Sequence, residues 1–312
     1  MPKLIKIKGD ASFRSFFRKK VNGKSSIVVY AKKEKSKNLL VYDAINKILN
    51  KNKILAPRLY TQRYDKNFIE IEDFGNETVF KTLKKKGKNK LSYFNRIIKL
   101  LIQIQSIKHR KVKNFKNQNY IIPKYDKKIL INEANLFCDW YAKNNLSKLR
   151  KKRFCKKFKK IIKELTLKLK LKDNIFVHRD FHVSNLMSVK NQIGLIDSQD
   201  ALIGNKAYDL ASLIDDVRLK TSYSFKEKIF KFYTKKQKNL DIKKFKNDFE
   251  ILSVLRNLKI IGIFTRLALR DRKKNYLKFI PYTWQLINMR IDQNRTFIDL
   301  KNLLSQNFKE IK

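Results

Sequence analysis

One short stretch of this 312-residue chain concentrates side chains suited to moving a phosphoryl group. Residues 177–187 read Val-His-Arg-Asp-Phe-His-Val-Ser-Asn-Leu-Met, and residues 193–197 read Ile-Gly-Leu-Ile-Asp. The pattern is therefore H-x-D-x-x-x-x-N, followed by an apolar run that ends in a carboxylate. Phosphoryl transfer needs a carboxylate that orients the acceptor hydroxyl and takes its proton, and oxygen ligands for the Mg²⁺ that bridges the phosphates. Asp180 is the candidate base. Asn185 and Asp197 offer hard oxygen donors, matched to Mg²⁺ and poorly matched to zinc. The plainer alternative is a tight polar loop in which Asp180 and Asn185 serve only as turn formers.

The surrounding pattern supplies elements to hold these residues. Ile175–Val177 and Ile193–Ile196 are short strand-like runs on either side of the polar loop. Residues 4–31 read as short strands, with Ser12–Arg18 and Ser25–Ala31 joined through Asn22-Gly23, a strong hairpin signal. Leu40, Ala44, Ile45, Ile48 and Leu49 recur at helical spacing and predict a helix over 37–51. Pro57 opens a further strand pair whose second member is Phe68–Ile71. From about residue 76 the pattern is mainly helical, with segments near 91–107, 129–145, 154–170, 225–236, 246–270 and 282–305. The expected fold is α+β and two-lobed, with a small β-rich lobe over 1–75 and a larger, mainly helical lobe over 76–312.

Composition bounds the function classes. Hydrophobic residues make up 43% of the chain and aromatics 12%, a globular balance. The two cysteines, Cys138 and Cys155, have no CxxC spacing and no nearby His, which argues against a disulfide framework or a zinc site. Met1–Asp10 lacks the apolar stretch of a signal peptide, and the run Ile260–Phe264 is far too short to span a bilayer. A cytoplasmic protein is expected. Lys and Arg number 75 against 27 Asp and Glu, a formal charge of +48. Such an excess suits nucleic acid or an anionic membrane. Here, however, the cations are mostly Lys, dispersed and accompanied by Asn and Ile, while Gly falls to seven and Pro to four. That joint bias fits AT-rich coding, so the runs 84–90, 108–116 and 151–160 are read as solvated faces, and no nucleic-acid or membrane partner is expected.

The loop His178–Asn185 with Asp197 resembles the catalytic and metal loops of the aminoglycoside phosphotransferase and choline kinase superfamily. Gly9–Arg14, His178–His182, Ile196–Ala201, Tyr208–Leu213 and the segments Arg256–Lys259 and Gly262–Leu267 together resemble the anomeric N-acetylmuramate/N-acetylglucosamine kinases of bacterial cell-wall recycling. The resemblance runs from residue 9 to about 284. It implies a protein-kinase-like form of the two-lobed α+β fold, ATP as phosphoryl donor, Mg²⁺ as cofactor, Asp180 as base, and Asn185 and Asp197 as metal ligands. It implies further that Gly9, Asp10, Ala11 and Ser12 cover the ATP phosphates, and that backbone groups of Glu72 and Phe74 meet adenine. His178 and Asp209 become structural braces of the catalytic loop.

The sequence departs from the kinase pattern in three places. Gly9 is the only glycine of the nucleotide loop. Tyr30 stands where kinases keep a phosphate-pairing Lys, which leaves Lys32, Lys33, Arg14 or Arg18 to reach the phosphates. Ser198 replaces an aromatic expected after the metal Asp, and looser packing is expected there. For the acceptor, Asp200, Arg218, Arg256 and Arg266 are candidates, the arginines because a guanidinium reads a carboxylate bidentately; the plainer reading of the arginines is inter-helix ion pairs or surface charges. Trp140 and Trp284 are expected in the core. The expected activity is ATP-dependent phosphorylation of an amino sugar at its anomeric hydroxyl. Alternatives are a kinase of an aminoglycoside, choline or homoserine, or a kinase-like scaffold that binds nucleic acid or membrane. The oligomeric state has no sequence signal.

Overall fold

A computed structural model describes residues 3–7, 14–87 and 89–310. Contacts group the chain into two compact units, residues 1–123 with 175–203, and residues 124–174 with 204–312.

The first unit is built on an antiparallel sheet of order β1-β2-β3-β5-β4. Its strands are β1 (Lys3–Ile7), β2 (Ser15–Val21), β3 (Lys24–Tyr30), β4 (Leu59–Arg63) and β5 (Phe68–Glu72). Asn22 and Gly23 turn β2 into β3 with φ of 47° and 74°, the left-handed pair that a two-residue hairpin requires. Helix α1 (Lys37–Lys51) follows the expected bounds. Val29, Ala31, Leu39, Tyr42, Ile69 and Ile71 form one apolar cluster between α1 and the sheet. The alternation of buried and half-buried residues along β5 is what one covered face produces.

Two helices, α2 (Val79–Lys84) and α3 (Lys90–Gln105), continue this unit. Thr78 caps α2 by accepting from the Lys81 amide, and Asn89 caps α3 by accepting from the Ser92 amide. The pair β6 (Lys111–Lys113) and β7 (Asn119–Ile121) comes next. After β8 (Asp173–Val177) the chain forms the hairpin β9 (Leu186–Val189) and β10 (Gln192–Leu195), and then β11 (Leu202–Asn205). Strand β9, absent from the sequence reading, is the partner of the expected run at 193–196.

The second unit is helical: α4 (Lys127–Leu136), α5 (Lys143–Asn145), α6 (Lys148–Leu167), α7 (Tyr208–Ile214), α8 (Tyr223–Lys235), α9 (Ile242–Leu269), α10 (Ile280–Ile291) and α11 (Ile298–Ser305). Phe137, Phe154, Phe158, Trp284 and Phe308 meet in its core around α9. Trp284 is 1% exposed there and its indole donates to the Tyr141 hydroxyl at 3.3 Å.

Two helical segments differ from expectation. The segment at 129–145 contains a wider turn over Phe137–Ala142. The segment at 282–305 is two helices, because Asn294 accepts from the Thr296 amide at 2.8 Å and donates to Glu250 at 2.7 Å, which stops α10 and starts α11. The lysine runs lie on exposed faces: on α6, Lys152, Lys156, Lys157, Lys159 and Lys160 are exposed while Phe154, Phe158 and Ile162 turn inward.

Candidate active site

The candidate residues of the catalytic and metal loops lie in the first unit, at one end of the β9–β10 hairpin. Leu186 pairs with Leu195, and the next step outward is the Ile196 amide donating to the Asn185 carbonyl at 3.1 Å. Asn185 and Asp197 therefore leave the same end of one hairpin. The loop that precedes β9 folds back onto them. The His182 amide donates to the Asp180 carbonyl at 3.0 Å, the Asn185 amide donates to the His182 carbonyl at 2.9 Å, and Asn185 Nδ2 donates to the Asp180 carbonyl at 3.0 Å. Asn185 thus commits its amide nitrogen to the loop and leaves Oδ1 available. Asp180, Asn185 and Asp197 are brought together by backbone pairing that the five-residue spacing makes possible.

His178 is fully buried and its Nε2 lies 3.1 Å from the Ile196 carbonyl. A carbonyl can only accept, so Nε2 carries the proton. Burial pushes the imidazole pKa down, partly opposed by the charges of Asp180 and Asp197, and the ring is a neutral strut between the two loops. Two non-glycine residues here adopt left-handed backbone: Arg179 with φ 73° and Asp197 with φ 62°. Such a conformation costs roughly 1–2 kcal/mol outside Gly and Asn/Asp, so Arg179 is held against its preference, with Nη1 donating to the Asp200 carbonyl at 3.2 Å.

Asp197 opens the turn Ser198–Asp200. Its Oδ1 accepts from Arg14 Nη2 at 2.7 Å and from Gln199 Nε2 at 3.2 Å. Its Oδ2 accepts no hydrogen bond among the described residues, and the side chain is 39% exposed. One oxygen is tethered and the other is open. Ser198, where an aromatic was expected, is fully buried and donates to Asn46 Oδ1 on α1 at 2.6 Å. The packing is therefore replaced by a buried hydrogen bond and not loosened. Asp200 is exposed and accepts from Gln199 Nε2 at 2.8 Å. Burial, with the charge of Asp200 adding to it, pushes the Tyr120 phenol up to about 12.

Arg14 and Arg18 are both committed. Arg18 grips the segment after β5: Nε and Nη2 donate to the Asp73 carboxylate at 2.6 and 2.9 Å, Nη1 to Asn76 at 2.6 Å, and Nη2 to the Gly75 carbonyl at 3.0 Å. Burial would raise the Asp73 pKa, but donors from Arg18, Ser25 and the Gly75 amide outweigh it and hold the carboxyl below its ordinary value. Arg18 therefore shapes the 73–76 turn, and the expectation that it reaches phosphates is corrected. Glu72 ends β5 with its carboxylate on Arg58 at 2.9 Å. Phe74 follows it, its ring against Gly194, where an added Cβ would come within 2.8 Å. Tyr30 is 40% exposed and Lys32 and Lys33 are exposed. Gly9, Asp10, Ala11 and Ser12 lie outside the described residues.

The remaining candidates belong to the second unit. Asp209 is buried on α7. Arg218 is half-buried, its amide donating to Asp216 at 3.0 Å. Arg256 on α9 is 5% exposed, and its Nη1 is buried without a hydrogen-bond partner among the described residues. Arg266, on the same helix, is half-buried with an unpartnered Nε, and burial lowers its pKa. The expected ion-pair explanation thus fails for Arg256 among the described residues. Sequence reasoning missed Gln199 and Asn46, whose roles arise from contacts across 185 and 152 positions.

Residues 3–239 match the family described as "Phosphotransferase enzyme family". The chain belongs to that family. Two curated relatives, both called N-acetylmuramate/N-acetylglucosamine kinase, come from Neisseria meningitidis serogroup B and Pseudomonas aeruginosa. The first is 27% identical over 87% of this chain and 80% of its own, the second 27% over 97% and 88%. Among solved structures, the gentamicin complex of APH(2")-IIa aligns with TM-score 0.65 at 16% identity, over 91% of this chain and 93% of that one. Spectinomycin phosphotransferase in complex with ADP and spectinomycin aligns with TM-score 0.56 at 15% identity, over 92% of each chain. At these identities the structures establish the kinase-like fold, a β-rich N-terminal region and a mainly helical C-terminal region. The chain is a small-molecule phosphotransferase, and no helix among its described residues is long and apolar enough to cross a membrane.

Proposed function

We propose that this protein transfers the γ-phosphoryl group of ATP to the anomeric hydroxyl of N-acetylmuramate or N-acetylglucosamine. The observation that carries the reading is the convergence of Asp180, Asn185 and Asp197 on one hairpin end, in a chain that two kinases of those sugars match over most of their length.

In this reading Asp180 accepts the proton of the sugar hydroxyl as its oxygen attacks the γ-phosphorus. The bond from that phosphorus to the bridging oxygen breaks, and ADP leaves. Asn185 Oδ1 and Asp197 Oδ2 fit a hard divalent cation, being oxygens without a hydrogen-bond partner among the described residues. Among the described residues no group of three or more His, Cys, Asp or Glu could hold a metal ion; with two protein oxygens, the phosphates and water would complete the coordination. Mg²⁺ there supplies charge neutralisation on the transferring phosphoryl group. Gly9–Ser12 form the nucleotide end, and the backbone of Glu72 and Phe74 meets adenine. The lobe boundary at 75/76 belongs to the same proposal, as do His178 and Asp209 as braces, Asp200, Arg218 and Arg266 near the acceptor, and a cytoplasmic setting in sugar recycling. Arg256 is the strongest acceptor candidate, because a buried guanidinium without a counter-ion costs several kcal/mol until an anion pairs with it. The lactyl carboxylate of N-acetylmuramate is such an anion.

Purified protein with Mg-ATP and each sugar tests this, with ADP release as the rate and ³¹P NMR as the position of the new ester. A sugar 1-phosphate is expected, and Arg256→Met should lower kcat/KM for N-acetylmuramate about 10–100-fold, as loss of one charge-assisted pair does, while sparing N-acetylglucosamine. Phosphorylation of choline or an aminoglycoside, with neither sugar a substrate, would reject the reading.

A further inference from the structure

The strand position that holds a lysine in kinases is Tyr30 here, and the two arginines nearest in sequence to the nucleotide loop are both spoken for. Arg18 is consumed by Asp73, Gly75 and Asn76. Arg14 follows directly on the 9–13 segment, yet only 6% of it is exposed. Its Nη2 meets Asp197 Oδ1 and its Nη1 meets Gln199 Oε1, each at 2.7 Å. Gln199, itself 5% exposed, returns its amide to Asp197 at 3.2 Å and to Asp200 at 2.8 Å. The guanidinium carbon lies 5.6 Å from the Phe16 ring centre and 5.7 Å from that of Tyr42, within cation–π range.

We infer that Arg14 and Gln199 are positioning residues for the metal carboxylate, a cradle that fixes Asp197 Oδ1 so that Oδ2 is presented to the cation. This rests on the kinase reading above and refines the expectation that Arg14 grips phosphate. Three facts support it. A planar fork with both terminal nitrogens engaged inside the protein has little left to offer a ligand. The pair is asymmetric, with the arginine side chain 4% exposed and the aspartate 39%, so the carboxylate faces outward and the cation behind it holds it in place. Asp197 also sits in left-handed backbone, and its neighbour Ser198 is anchored to Asn46, so the carboxylate's aim depends on such ties. Partners behind a metal ligand typically change metal affinity 10–100-fold when removed.

The test measures metal binding without turnover. Mn²⁺ binding to the protein–ADP complex is followed by electron paramagnetic resonance, and metal-free ADP binding by calorimetry. Arg14→Met should weaken Mn²⁺ about 10–100-fold while leaving metal-free ADP affinity unchanged. Arg14→Lys should fall between, since an ammonium keeps the charge but not the fork. Gln199→Leu, which retains the Arg14–Asp197 pair, should shift Mn²⁺ in the same direction by less, and it decides the matter if Arg14→Met does not fold. A loss of metal-free ADP affinity in Arg14→Met would show a phosphate-binding arginine and overturn the inference. Unchanged or tighter Mn²⁺ binding in both variants would overturn it too. Failure of the wild-type protein to bind Mn²⁺ and ADP would instead count against the kinase reading itself.

Discussion

Gly262, in the middle of α9, sets two opposing effects against each other. In an exposed helix Gly→Ala stabilises by about 1 kcal/mol. Here an added Cβ would lie 2.3 Å from the Leu136 carbonyl carbon, 2.4 Å from its oxygen and 2.7 Å from the Phe137 nitrogen. Ordinary van der Waals contact begins near 3.4 Å, so the shortfall is about an ångström, and the three nearest atoms are all backbone. No rotamer change relieves it. Helix α9 would have to move off residues 136–137, where Phe137 packs on Phe154, Phe158, Trp284 and Phe308. Overpacking against side chains costs about 1–3 kcal/mol and more against backbone, so after the helix gain Gly262→Ala should destabilise by about 2–3 kcal/mol. With about 2–4 °C of Tm per kcal/mol for a chain of this order, the midpoint should fall about 5–10 °C. Differential scanning calorimetry of the variant beside the wild type reads this directly. A Tm equal to or above wild type would show that α9 and α4 do not approach as closely as described.

Asp215 is fully buried and serves Arg290 at 3.1 Å, Lys226 at 3.2 Å and the Ser253 hydroxyl at 2.5 Å. Asp215→Asn strands two buried cations and should cost about 3–5 kcal/mol by urea denaturation; an effect below about 1 kcal/mol, the scale of an exposed ion pair, would mean that water already solvates the site. Burial alone would raise the Asp215 pKa, but Arg290 and Lys226 hold it below its ordinary value, as Arg18 does for Asp73. A depressed folded pKa gives stability that is present above the unfolded value, about 3.9, and lost as pH falls through the folded value. Urea midpoints should therefore decline on the acid side of about pH 4, and Asp215→Asn should flatten that decline.

Elements whose code is local were readable from the sequence. Helix α1 kept its 37–51 bounds because its apolar stripe lies within one stretch and Asn52 closes its end by donating to the Ile48 carbonyl, and Asn22-Gly23 fixed the β2–β3 turn by backbone preference alone. The loop from His178 to Asn185 was readable because Asn185 ties back to Asp180 only five residues away. What escaped depends on distant partners. The wide turn at Phe137–Ala142 lies where α9 brings Gly262 against Leu136, and apolar periodicity carries no trace of that approach. The α10–α11 break is set by Asn294 reaching Glu250, 44 residues earlier. Arg14 was legible as a cation near the nucleotide loop but not as the partner of Asp197, 183 positions on. Arg256 shows the converse: its burial without a counter-ion among the described residues is invisible in a sequence so rich in charge.

In the proposed reaction Asp180 is the group that takes the acceptor's proton. Single-turnover phosphorylation of N-acetylmuramate or N-acetylglucosamine by Asp180→Asn, with Mg-ATP affinity measured on the same preparation, tests it most directly. Turnover should fall by about 10²–10⁴-fold, the contribution of a positioned base, while Mg-ATP affinity stays at the wild-type value. Near wild-type turnover in that variant would contradict the account.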